Sequence, residues 1–188
     1  LPSPYIANIA RYVRDGGAVL ISAGPFFAGV ESLYRTPLSD ILPVAPTSDV
    51  LQRPFTPKVT ELGARHPVTA GLDRFGATGD EAKKGAGPRW GRWLRQIAME
   101  KLKGETVMSG IDGRPLLVLD RVGEGRVAVL GSDHAWLWTR GVEGGGPQLE
   151  LLRRLAHWMM KEPELEEEAL TATAEGNTLT ITRRSLTE

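Results

Sequence analysis

Apolar residues recur every three to four positions through Ile6, Ile9, Ala10 and Val13, then run unbroken through Ala18-Val19-Leu20-Ile21. The first spacing predicts an amphipathic helix. Ser3-Pro4 supplies a favoured cap and a favoured first helical residue, and Asp15-Gly16-Gly17 stops the helix. The unbroken run predicts a strand covered on both faces, placed centrally in its sheet. A helix, a glycine break and a buried strand in that order predict α/β layering.

Further along, residues 24–29 form a glycine-bounded turn carrying Phe26 and Phe27, and Thr36-Pro37 opens a short helix through Leu38, Ile41 and Leu42. The proline-rich segment 43–57 reads as irregular, with Phe55 held against the core. Residues 58–62 read as a short strand, 66–72 as a turn and 76–88 as a loop. Residues 90–97 and 106–109 are two further expected strands. Residues 115–121 and 126–131 flank Gly123-Glu124-Gly125, a hairpin signal. Gly146-Pro147 opens a long helix with Leu149, Leu152, Leu155, Ala156 and Met159 on its expected apolar face, ended by Pro163. The acidic stretch 162–168 reads as a solvated linker. Residues 170–174 and 178–182 alternate around Glu175-Gly176-Asn177, a second hairpin. These elements divide the chain into an α/β domain over 1–162 and, over 163–188, a linker and hairpin that begin a following β domain.

Composition narrows the partners more than the fold. A chain of 188 residues suits one domain plus a fragment of another. Lys and Arg equal Asp and Glu at 23 each, so no net charge steers the chain towards nucleic acid. The absence of cysteine excludes disulfides, thiolate metal sites and a cysteine nucleophile together. No apolar run reaches the length of about 18 residues that a membrane span needs, and no signal peptide is recognisable. The opening Leu1-Pro2-Ser3-Pro4 lacks an initiator Met, and the sequence closes in a strand-like pattern, so it reads as a piece of a longer polypeptide.

The order of the parts carries a resemblance. A helix leads into "YVRDGGAVLISAG", followed by "HPVTAGL", the hairpin "PLLVLDRVGEGRVAVLGSD", then "GSDHAWLWTRG" and "GGGPQLELLRRLAHWMMKEPEL". Over residues 1–162 this resembles the class I glutamine amidotransferase-like domains of large bacterial membrane-anchored proteins. More distantly it is similar to the trehalose-utilisation type of amidotransferase-like proteins. The resemblance implies a flavodoxin-like three-layer sandwich whose first strand would lie upstream of Leu1, so that this sheet lacks or borrows one. It also implies membrane anchoring through segments outside this chain, on a side the sequence does not specify.

Class I amidotransferases place a cysteine in a tight strand-to-helix turn and a His-x-Glu pair after a late strand, with backbone donors stabilising the oxyanion. Here the turn reads Ser22-Ala23-Gly24-Pro25, and the late strand is followed by His134-Ala135-Trp136. Thiol and glutamate are both missing, which excludes glutamine hydrolysis by a Cys-His-Glu triad. Ser22 matches only the second half of a G-x-S-x-G elbow, so a structural hydrogen bond and a nucleophile are its two readings. Asp133 and His134 follow a strand, where α/β sheets present ligand-binding groups; each also reads as a turn residue satisfied by its neighbours. Trp136, Trp138 and Arg140 offer an aromatic floor for a sugar or planar ligand if the segment is extended, or fill the space between sheet and last helix. Trp90 and Trp93 invite the same two readings. Gly144-Gly145-Gly146 precedes a helix as phosphate loops do, without the P-loop lysine, and reads as a hinge. His66 reads as a turn cap and His157 as a helix residue, and no His and carboxylate set has metal-ligand spacing.

The expected function is therefore a non-catalytic binding or scaffolding module. A divergent hydrolase using His134 and Asp133, with Ser22 or water, and a carbohydrate-binding module using Trp136 and Trp138 are the alternatives. No cofactor is implied. The expected partner is a small molecule or another protein, with a homodimer left open.

Overall fold

The computed structural model describes residues 3–74, 90–176 and 178–186; the loop expected over 76–88 lies outside them. Helix α1 (Ser3–Arg14) forms as the spacing predicts and buries Ile6, Ala10 and Val13. It leads through Gly16 and Gly17 into β1 (Ala18–Ser22). Strands β2 (Val44–Leu51) and β3 (Lys58–Val59) follow, then the short helix α2 (Glu61–Arg65), β4 (Gln96–Lys101), β5 (Glu105–Ser109), β6 (Pro115–Val122) and β7 (Gly125–Leu130). Helices α3 (Trp136–Thr139) and α4 (Gln148–Met159) precede the C-terminal hairpin of β8 (Ala169–Glu175) and β9 (Thr178–Arg184). The fold is a mixed α/β arrangement around a five-stranded sheet of order β1-β7-β6-β5-β3, in which only β1 and β7 run parallel.

Alternation along β6 and β7 builds two cores. Val118, Val127 and Val129 point to one face, where they meet Ile6, Ala10 and Val13 of α1 and Ile97 and Met99 of β4. Leu117, Leu119, Ala128 and Leu130 point to the other, against Leu151, Leu155 and Trp158 of α4. Every residue of β7 is buried, so β7 is the strand covered on both faces. β1 is not central. It forms the end of the sheet, and Leu20 is 37% exposed. An apolar run reports the wish to be buried, not the number of neighbouring strands.

Three other expectations are corrected. Segment 43–57 contains β2, an eight-residue strand paired with β4 across a bulge between Pro46 and Val50, where Ser48 takes φ 69°. Residues 90–95 are not strand: Trp90 and Trp93, three apart, both turn inward. Trp93 packs on Trp138 and Phe55 at centroid distances of 4.8 and 6.1 Å, and the strand begins at Gln96. The buried face of α4 is Leu151, Leu155 and Trp158, whereas Leu149 and Leu152 face solvent. This helix carries two apolar stripes, and Trp158 decides which goes in.

The acidic segment after α4 is no solvated linker. The indole N–H of the fully buried Trp158 donates to Glu167 Oε1 (3.0 Å), and His66 Nε2, also buried, lies 3.2 Å from the same oxygen. Arg121 pairs with Glu166 (2.7 Å) and Glu167 (2.5 Å). Arg126 bonds Glu166 and the Trp158 carbonyl, its guanidinium 4.9 Å from the Trp158 ring centroid. These contacts strap residues 163–168 to the α/β body. Beyond them the hairpin forms as expected, with Leu170, Leu179 and Ile181 at 74%, 63% and 62% exposure.

The strap makes stability acid-labile. Burial alone would raise the Glu167 carboxyl, but the bond from His66, the charge of Arg121 and the Trp158 indole outweigh it and hold it at about 2, against an ordinary 4.5. A depressed carboxylate contributes stability that is complete above about pH 4.5 and lost as the pH falls from there to about 2. Glu167→Gln is expected to cost about 2 kcal/mol at pH 7 in urea unfolding. Its deficit should shrink between pH 4.5 and 2. Glu143 and Glu150, also held at about 2 by arginines, titrate in both proteins, so the difference isolates Glu167. A deficit that stays constant across that window would refute the pairing.

Candidate functional site

Ser22, Asp133 and His134 come together at the carboxyl ends of β1 and β7, the parallel pair, where open α/β sheets place their ligands. Each is committed to a neighbour. Ser22 Oγ donates to the Ser132 carbonyl (2.9 Å). Asp133 is gripped by the Arg95 guanidinium in a two-point fork, Nε to Oδ1 at 3.2 Å and a terminal nitrogen to Oδ2 at 2.7 Å. His134 Nδ1 accepts the Leu94 N–H at 3.2 Å. In a neutral imidazole this leaves the proton on Nε2, 3.8 Å from Asp133 Oδ1. The His134 pKa is lowered, first by burial and then by the charge of Arg95, with Asp133 opposing; the ring is neutral at pH 7.

The connecting residue is Ser132, fully buried and one glycine beyond the end of β7. Its hydroxyl donates to the Arg95 carbonyl (2.7 Å) and accepts the His134 N–H (3.1 Å). Sequence reasoning missed both Ser132 and Arg95. A serine bonding the N–H two residues on is a recognisable turn device, so "Gly-Ser-Asp-His" carried a signal for Ser132. Nothing local pointed to Arg95, which meets Asp133 only through the fold. Gly24 closes the cluster: a Cβ there would stand 3.1 Å from Asp133 Oδ2. Beside it Ser22, Gly24, Phe26, Glu31 and Leu33 line a cleft of about 190 Å³, with Phe26 76% exposed.

The aromatic floor does not form as a pair. The segment is the helical turn α3, so residues two apart point in nearly opposite directions. Trp136 is 52% exposed. Trp138 is buried, donates its indole N–H to the Gly91 carbonyl (2.7 Å) and has no face free for a ligand. Arg140 is exposed at the end of α3. Trp90 and Trp93 are core residues of the same aromatic cluster. The glycine triplet serves packing, since a Cβ on Gly146 would stand 2.4 Å from the Trp138 ring. His157 pairs with Glu162 at the end of α4. Among the described residues no group of three or more His, Asp or Glu side chains could hold a metal ion. No described helix is long and apolar enough to cross a membrane.

No family model matches the chain, and no curated protein matches it. Solved structures do. It is similar to the cytoplasmic protein STM3548 from Salmonella typhimurium, with 20% identity and a TM-score of 0.61, over 82% of this chain and 59% of that one. The cytoplasmic protein STM1381 from Salmonella typhimurium LT2 matches at 21% identity and TM-score 0.53, over 83% and 56%. The β-galactosidase from Rahnella sp. R3 matches at 13% and 0.53, over 96% of this chain and 25% of the enzyme. The chain thus spans less than two thirds of the length of each, and at these identities the likeness is one of fold.

Proposed function

We propose that this chain is a non-catalytic domain of the class I glutamine amidotransferase-like type, acting as a binding or scaffolding module in a membrane-anchored bacterial envelope protein. We read its fold as a flavodoxin-like three-layer sandwich, a reading supported by the cores on both faces of the sheet and the parallel β1–β7 pair. The observation that carries the functional reading is the state of His134. A general base needs a free lone pair, and the only one on this neutral ring is occupied by the Leu94 N–H. Ser22 directs its proton to a carbonyl and Asp133 is neutralised by Arg95, so neither is poised to activate the other. What remains is a preorganised polar floor beside the cleft at the end of β1, suited to holding a small molecule or a peptide rather than cleaving it.

A divergent hydrolase using Asp133 and His134 would have to break the Leu94 contact first. A sugar-binding reading rests on Trp136 alone, whose half-exposed indole offers one stacking face. The purified protein is expected to release no ammonia from glutamine, because no thiol exists to form a thioester. Turnover that survives rigorous purification and vanishes in His134→Ala would overturn the non-catalytic reading.

A further inference from the structure

The bulge in β2 holds a residue in a conformation it disfavours. Between the pairs Pro46–Met99 and Val50–Ile97, the three residues 47–49 stand opposite the single Ala98. Ser48 takes its left-handed φ of 69° there, a conformation that strains a residue carrying a Cβ. Its neighbours fix it in place. Thr47 Oγ1 donates to the Ala98 carbonyl (3.2 Å), and Pro46 has no N–H with which to extend the ladder. Glycine would adopt this backbone freely, yet serine stands at the position. Strain of this kind gathers at binding sites, where the strained side chain has a task.

Ser48 lines a cavity of about 240 Å³ whose other walls are Ala28, Gly29, Tyr34, Arg35 and Pro46. The turn that carries Tyr34 and Arg35 is firmly built. Buried Ser32 caps it by accepting the Tyr34 N–H (3.1 Å), and the Arg35 N–H donates to the Ser32 carbonyl (2.9 Å). Tyr34 packs against the core cluster that contains Ile41 and Leu42. Ser48, Tyr34 and Arg35 are the polar side chains of the cavity, and among the described residues none of the three has a side-chain hydrogen bond or an ion pair. Arg35 brings a fixed positive charge and five N–H donors, and each hydroxyl brings one more donor. No carboxylate lines the cavity: Glu31 lines the separate cleft at the end of β1, and exposed Asp49 is not among the walls.

We propose that this cavity binds a small organic monocarboxylate, at a site distinct from the one at the ends of β1 and β7. One guanidinium balances one carboxylate, and its planar fork matches the two carboxylate oxygens. The hydroxyls of Ser48 and Tyr34 supply the further donors that such an anion accepts. Ala28, Pro46 and the Tyr34 ring form apolar walls for a short carbon body. Size limits that body to roughly a single ring, because the cavity is smaller than the ~300 Å³ at which drug-sized pockets begin. The site stands whether or not His134 is catalytic.

Titrating the isotope-labelled protein with benzoate, followed by amide NMR shifts, tests this. Benzoate is expected to move the Arg35 and Ser48 signals saturably, with a Kd on the order of 1 mM, and to leave those of Ser22 and His134 in place. Benzamide has the same shape without the charge and should bind about 10-fold more weakly. Arg35→Gln, at an exposed position, should fold normally and lose about as much. Ser48 gives the signature that a merely structural residue lacks. Ser48→Gly should hold or raise the Tm, since glycine takes this φ without strain, and yet weaken benzoate binding several-fold. Ser48→Ala should weaken binding equally with no gain in Tm. The proposal is overturned by the lack of a saturable shift well above 1 mM, by equal binding of benzamide, or by affinity that survives Arg35→Gln or Ser48→Gly. Inorganic phosphate or chloride moving the same signals as strongly as benzoate would also overturn it, and would make Arg35 a holder of an adventitious ion only.

Discussion

Trp158→Ala is expected to destabilise the protein by about 3–5 kcal/mol, the range for truncating a buried aromatic side chain. The ring is fully buried between α4 and the sheet, so its removal leaves a cavity beside Leu117, Leu119 and Leu155 rather than a surface dent. The loss goes beyond packing. The indole N–H holds Glu167, the ring lies under the Arg126 guanidinium, and His66 meets it edge-on at 6.2 Å. Without the ring, Glu167 and Arg126 keep their charges but lose the group that spaces them. The strap over 163–168 should therefore loosen together with α4. Urea unfolding measures the stability change, and limited proteolysis after the strap glutamates measures the loosening. Trp136→Ala, at a half-exposed position, should stay within about 1 kcal/mol of the parent. A Trp158→Ala protein as stable as Trp136→Ala would mean that the strap and α4 do not share one core.

Elements that rest on neighbours in sequence were legible. α1 announced itself through Ile6, Ala10 and Val13, and the β6–β7 hairpin through its glycine turn between two apolar runs. Elements that depend on distant partners were not. β1 has the composition of a central strand, yet its position follows from pairing with β7 more than a hundred residues away. The helix α4 carries apolar stripes on two faces, and periodicity cannot rank Leu149–Leu152 against Leu151–Leu155 without knowing that Trp158 must be buried. The acidic strap looked solvated because its partners, Arg121, Arg126 and His66, lie on other elements.

The candidate site divides the same way. Ser22, Asp133 and His134 were found because strand ends in α/β sheets are where chemistry gathers, and they do converge. Their states were illegible: the fork from Arg95, the bond from Leu94 N–H and the hub at Ser132 each join residues roughly forty positions apart. Trp136 and Trp138 were paired on the assumption of an extended segment. They sit instead on one helical turn, where a two-residue step sends one into the core and one to solvent.

Gly125→Ala is expected to cost about 3 kcal/mol, at the upper end of what overpacking does, for one added methyl group. Gly125 opens β7 where the end of α1 crosses it. A Cβ there would stand 1.8 Å from the Val13 carbonyl oxygen and 2.4 Å from that of Gly17, both backbone atoms that no rotamer change can move. To admit the methyl, the α1–β1 junction must lift from β7. That strains the Glu124 N–H to Arg14 carbonyl bond (3.0 Å) and the Arg126 N–H to Gly17 carbonyl bond (3.1 Å). Gly113→Ala separates this effect from backbone preference. Gly113 has a left-handed φ of 73° with nothing within 4 Å of its Cβ position, so it should lose only about 1 kcal/mol. The larger loss at Gly125 should also carry a positional consequence. β1 holds Ser22 against Ser132, so a displaced β1 releases the Ser22 hydroxyl and widens the gap between the two strand ends that frame the site. Faster amide exchange at Ala23, whose N–H bonds the Leu130 carbonyl at 2.7 Å, would report that displacement. Equal losses at the two glycines, with Ala23 exchange unchanged, would mean that α1 does not press on β7 as closely as the structure places it.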